Sequence, residues 1–110
     1  MSSLEQMCEI YGISAERAKD ISDKFPPFAS YDHLRVVKNA VLIYGINNEN
    51  KIKEAVLKHP PFAGYDHSRV IDDAVLIYGI NNKNKIKEAV LKHPQFAGLN
   101  HSRVIDDAVL

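Results

Sequence analysis

The segment Val36–Tyr44 sets the pattern of the chain. Val36, Val37, Ala40, Val41, Ile43 and Tyr44 recur at helical spacing and fill one broad face. Arg35, Lys38, Asn39 and Leu42 fill the other. Gly45 stops this helix, and the spacing predicts a Schellman-type end with Ile46 folded back onto Val41. Asn47 or Asn48 is the expected cap of a second helix running to about Lys58. Its core face is Ile52, Ala55 and Val56, with Leu57 nearly opposite. A helix that is apolar on two sides needs a neighbour on each, so the pattern predicts a sandwiched helix. Proline has no amide proton and disfavours helical geometry in the residue before it. Pro60-Pro61-Phe62-Ala63 is therefore expected to leave the helix as one turn of 3₁₀ helix, with Phe62 plugging the helical pair. Asp66 is placed to cap the next helix.

This pattern repeats every 34 residues: Lys24, Lys58 and Lys92 begin matching segments. The first two copies differ only at Phe25/His59, Ser30/Gly64, Leu34/Ser68, Val37/Ile71, Lys38/Asp72, Asn39/Asp73 and Glu49/Lys83. Residues 1–23 read as a diverged first helix pair. Leu4, Met7, Cys8 and Tyr11 share one face, Ser3 and Gln6 have capping-box spacing, Gly12 is the stop, and Ser14 caps a second helix to about Asp23. Segments 24–57 and 58–91 are the two near-identical repeats, and 92–110 is a partial one. Val104, Ile105, Ala108 and Val109 would lack a covering helix, which predicts a longer native array or contact with another chain through this half repeat. A fixed period of this length is the mark of stacked repeats. The expected fold is all-α: one helical-repeat solenoid of antiparallel helix pairs over residues 1–110, with short Pro-Pro connectors.

Composition narrows the function. Fourteen basic residues balance fourteen acidic ones, which removes the usual argument for nucleic acid, a strongly basic balance, though not a local basic stripe. The single cysteine, Cys8, excludes an intrachain disulfide framework. No apolar run approaches the roughly 18 residues of a membrane span. The N-terminus has neither a cationic start nor an apolar block, so the expected location is intracellular, in the cytoplasm.

The candidate chemistry is sparse. The five histidines (His33, His59, His67, His93 and His101) lack the i, i+4 spacing of a zinc helix and have no cysteine beside them. They read as exposed first-turn or turn-filling residues, and no metal or cofactor is expected. Asp72-Asp73 and Asp106-Asp107 lie on a polar helix face, with Asp73 in reach of Arg69. Glu54 and Lys58 are spaced as an i, i+4 pair, and Glu88 with Lys92 repeats it. No nucleophile–base pair is legible, so no enzymatic activity is expected. Cations do recur at the repeat period. Arg35, Arg69 and Arg103 form one row; Lys51 with Lys85, Lys53 with Lys87, and Lys58 with Lys92 form others. Stacking would turn such positions into ladders able to follow a phosphate backbone. Leu42, Leu76 and Leu110 recur on the polar face of the first helices. The expectation is that they seal the contact between units; left exposed, they would suit a protein partner.

Tyr11-Gly12-Ile13-Ser14 through Phe25-Pro26, Tyr44-Gly45-Ile46 through His59-Pro60, and Tyr78-Gly79-Ile80 through His93-Pro94 resemble the repeat of mitochondrial transcription termination factor proteins. The resemblance covers nearly the whole chain. It implies units of two helices plus a short 3₁₀ helix, coiled into a superhelix with a positively charged concave groove for nucleic acid. The chain departs from that family in being short, neutral and without a transit peptide. The leading expectation is a non-enzymatic module that binds DNA or RNA through its lysine and arginine rows; the alternative is a protein-interaction scaffold. A continuous positive strip would favour the first, and a mixed strip with exposed leucine the second.

Overall fold

The structure is a computed structural model that describes residues 3–98. Among these, six α-helices and five 3₁₀ turns carry the chain and there is no strand. Helix α1 spans Ser3–Tyr11 and α2 Ala15–Lys24; α3 (His33–Tyr44) and α4 (Glu49–Lys58) form the first full repeat, and α5 (His67–Tyr78) and α6 (Lys83–Lys92) the second. No helix among the described residues is long and apolar enough to cross a membrane.

The helix ends follow side-chain chemistry. The Ser14 hydroxyl accepts from the Arg17 amide at 3.1 Å. The Asp32 and Asp66 carboxylates accept from the Arg35 and Arg69 amides at 3.3 Å, each satisfying an otherwise orphan donor. Phe25 and His59 end α2 and α4, and the proline segments Pro26–Ser30 and Pro60–Gly64 form the 3₁₀ turns expected of them. The Gln6 side-chain oxygen accepts from the His33 amide at 3.3 Å and so ties α1 to the start of α3; the Ser3 side chain, its expected capping-box partner, lies outside what the structure describes.

Two turns differ from expectation. Gly45 (φ 101°, ψ 147°) and Gly79 (φ 97°, ψ 146°) take extended positive-φ backbone, a region essentially reserved for glycine, rather than the left-handed helical conformation of a Schellman end. The chain is thereby thrown outward into a short 3₁₀ turn, which leaves Ile46 69% and Ile80 66% exposed instead of folded onto Val41 and Val75. Asn48 gives no side-chain bond to the helix that follows it. Its amide group donates backward to the Tyr44 carbonyl at 2.6 Å, and Asn82 does the same to Tyr78. Each asparagine thus closes the helix before it.

Equivalent helices pack against each other, α3 on α5 and α4 on α6, while the 3₁₀ turn at Pro26–Ser30 meets the one at Pro60–Gly64. Phe28 and Phe62 are fully buried plugs at this seam, and Met7, Val37, Ala40, Ile52, Val56, Ile71, Ala74, Ile86 and Val90 complete the core. A Cβ on Gly64 would collide with the Tyr31 hydroxyl, and one on Gly98 would lie 2.7 Å from that of Tyr65. A side chain at either position would have to push the tyrosine of the preceding repeat aside. Ser30, at the equivalent position of the first copy, is exposed, and its hydroxyl donates to the Pro27 carbonyl at 2.7 Å.

His33 and His67 are buried, not exposed as the sequence suggested. His33 Nε2 lies 2.8 Å from the Phe28 carbonyl and its Nδ1 lies 2.7 Å from the Tyr11 hydroxyl. His67 repeats this with Phe62 at 2.9 Å and Tyr44 at 2.8 Å. A carbonyl only accepts, so Nε2 carries a proton and donates. In the neutral ring, the form that burial favours, Nδ1 accepts from the tyrosine hydroxyl, and the ring joins the last residue of one first helix to the 3₁₀ turn and first helix of the next repeat. Burial lowers the pKa of both imidazoles, against the opposing effects of the carbonyl bond and of the neighbouring Asp32 or Asp66. Burial likewise raises the phenol pKa of Tyr11 and Tyr44.

Candidate binding surfaces

Grooves run between the packed helices. One, of about 770 Å³, lies between α4 and α6. It is lined by Lys51, Glu54 and Lys58 from one helix and by Lys87, Glu88 and Lys92 from the other, with Asn48 and Asn84 at one end. On α4 these side chains lie at i, i+3 and i+7, so helical periodicity gathers them into one stripe. The stripe is mixed, four lysines against two glutamates. Glu54 does not pair with Lys58, nor Glu88 with Lys92; the ion pairs formed among the described residues are Asp20–Lys24 at 3.1 Å, Glu49–Lys53 at 3.9 Å and Arg69–Asp73 at 3.8 Å.

The remaining cations are elsewhere. Lys53 faces away from this groove and is held by Glu49. Lys85 is exposed on α6 and lines none of the grooves. Arg35 borders the groove between α3 and α5, beside Asp32 and Asp66. Arg69 is exposed and offset by Asp73, and Arg103 lies outside the described residues. The structure therefore gathers Lys51, Lys58, Lys87 and Lys92 and separates them from the arginine row.

A third groove, about 460 Å³, has an apolar floor. Ile10 of α1, Leu34, Val37, Val41 and Leu42 of α3, and Ile46 line it, with Lys38, Glu49 and Lys53 at its rim. Leu42 and Leu76 are each 84% exposed, which overturns the expectation that they seal the contact between units. The reason is geometric. Val36 and Ile43 are partly buried against the core and border the groove toward α5, while Leu42 at its rim is left exposed with Lys38 and Asn39. Leu110, the third of the row, lies outside the described residues.

Both ring nitrogens of His33 and His67 are occupied by protein partners. Among the described residues, no three His, Cys, Asp or Glu side chains gather as metal ligands. Cys8 is half-buried against the core. The buried tyrosine–histidine bond escaped the sequence reading, whereas an exposed leucine row is its alternative to a sealed contact. The recurrence of tyrosine and histidine at nearly the same separation, 22 residues from Tyr11 to His33 and 23 from Tyr44 to His67, was the signal for the bond.

Compared with protein-family models, curated proteins and solved structures, the chain matches none.

Proposed function

We propose that the chain is a non-enzymatic protein-interaction module, a short solenoid of helix pairs stacked at the 34-residue period. The elongated dimensions of 47 × 29 × 18 Å and the side-by-side packing of equivalent helices support the stacked reading. The observation that carries the interaction reading is the outward apolar row of Leu42 and Leu76, extended by Ile46 and Ile80. Apolar side chains gathered on a surface and rimmed by charge favour a protein partner. Panning a random-peptide library against the sparsely immobilised chain should enrich apolar-centred peptides. Their binding should be lost in the Leu42→Lys/Leu76→Lys double variant. No enrichment, or enrichment indifferent to the double variant, contradicts the reading.

A second reading, the one implied by the likeness to mitochondrial transcription termination factor proteins, is supported by the groove between α4 and α6. Lys51, Lys58, Lys87 and Lys92 form no ion pair among the described residues and line one channel. Such a channel would take a phosphate backbone. Binding to DNA and RNA should then weaken steeply with salt, and Lys58→Gln should reduce the salt slope by about one. Absence of binding at low salt excludes it. Glu54 and Glu88 within the channel, and the neutral chain, place this reading second.

A further inference from the structure

The seven differences between the two repeats are not scattered. Positions 34, 37, 38 and 49 all line the apolar-floored groove of the first repeat. Two of them are charge reversals of opposite sense. Lys38 becomes Asp72, and Glu49 becomes Lys83. The apolar residues between them are unchanged: Leu42 matches Leu76 and Ile46 matches Ile80. The first repeat thus presents cation, leucine, isoleucine and anion along its outer face, and the second presents anion, leucine, isoleucine and cation. All but the half-buried Glu49 are exposed.

We infer that this face binds a second copy of the same chain. The inference rests on the interaction reading above and names its partner. Helices α3 and α5 pack side by side, and the 3₁₀ turns that precede them also touch, so the two helices run in the same direction. A two-fold axis lying along them, midway between, would lay α3 of one copy over α5 of the other. Each outer-face position then meets its equivalent in the other repeat. Leu42 meets the partner's Leu76, Ile46 the partner's Ile80, Lys38 the partner's Asp72 and Glu49 the partner's Lys83. Two-fold symmetry makes every contact occur twice. With identical repeats the same arrangement would set like charges against each other, a destabilising juxtaposition. The paired reversals replace two repulsions with two attractions, and they leave the charge of the whole chain unaltered. They therefore favour this pairing over others without making the surface sticky to strongly charged partners.

The test is sedimentation equilibrium of the full chain from micromolar to millimolar concentration, with circular dichroism to confirm helicity. The chain should dimerise, and added salt should weaken the dimer. Lys38→Asp alone, or Asp72→Lys alone, should raise the dissociation constant about tenfold or more, since each places two like-charge contacts in the interface. The exchange variant carrying both should return it to within about threefold of the wild type. Leu76→Lys should abolish the dimer. A monomer at millimolar concentration overturns the inference, as do single reversals without effect or an exchange variant that fails to restore association. Peptides enriched by panning would in those cases still uphold the interaction module, so failure of the partner and failure of the module are told apart.

Discussion

The inner seam and the outer face of the repeats have diverged in opposite ways. At the seam, Tyr11, Phe28, Tyr31 and His33 reappear unchanged as Tyr44, Phe62, Tyr65 and His67, with hydrogen bonds equal to within 0.1 Å. On the outer face, charge has reversed at two positions and the leucine at 34 has become serine. A buried imidazole with two partners admits no substitute that satisfies both, whereas an exposed side chain alters stability little. The seam therefore records what stacking requires. The outer face is free to record what each repeat is to meet.

That contrast can be broken by mutation, most sharply at the plug. Phe62→Ala should destabilise the chain by about 3–5 kcal/mol in urea denaturation, since it empties a fully buried ring site between repeats. His67→Ala should cost about 2–4 kcal/mol by the same measurement, because it strands the Tyr44 hydroxyl, leaves the Phe62 carbonyl with only the Tyr65 amide, and opens a cavity. Gly64→Ala should cost about 1–3 kcal/mol by forcing Tyr31 aside, while Ser30→Ala, which removes one exposed hydrogen bond to the Pro27 carbonyl, should cost less than about 1 kcal/mol. At the small end, Leu42→Lys and Leu76→Lys should leave monomer stability within about 0.5 kcal/mol. A large loss at either leucine would mean that it supports the stack, and the division between seam and face would fail.

Acidity sharpens the same contrast. The fold holds His33 and His67 neutral, while the same groups in the unfolded chain protonate near the ordinary value of about 6.5. The unfolded state then binds more protons, so stability is full above about pH 6.5 and declines as pH falls below it toward the depressed folded-state values. Denaturation midpoints measured from pH 7.5 downward should show this slope. Replacing both histidines should remove most of it. The raised phenol pKa values of Tyr11 and Tyr44 give an alkaline arm, with stability declining above about pH 10.

Most of the fold was legible because its signals are local. Pro26 and Pro60 stop helices by their own covalent structure, Asp32 and Asp66 cap within three residues, and Phe28 and Phe62 are large apolar groups with one place to go. What was not legible depends on directions that spacing alone leaves open. Helical periodicity puts Leu42 on the polar side of α3 but does not say which flank meets α5. The first-turn position of His33 suggests solvent, and only the arrival of Tyr11 from another unit makes it a buried link. The lysine rows were visible as rows. Rotation of the helices then brought Lys51, Lys58, Lys87 and Lys92 into one groove and turned Lys53 out of it.

The central claim is that a neutral histidine, protonated on Nε2 and accepting at Nδ1, joins each of the two full repeats to the unit before it. Long-range proton–nitrogen NMR on the ¹⁵N-labelled chain reads this directly. His33 and His67 should show the neutral Nε2–H tautomer at pH 7 and retain it below the pH at which a free imidazole protonates. An Nδ1–H tautomer, or titration of either ring near pH 6.5, would contradict the account.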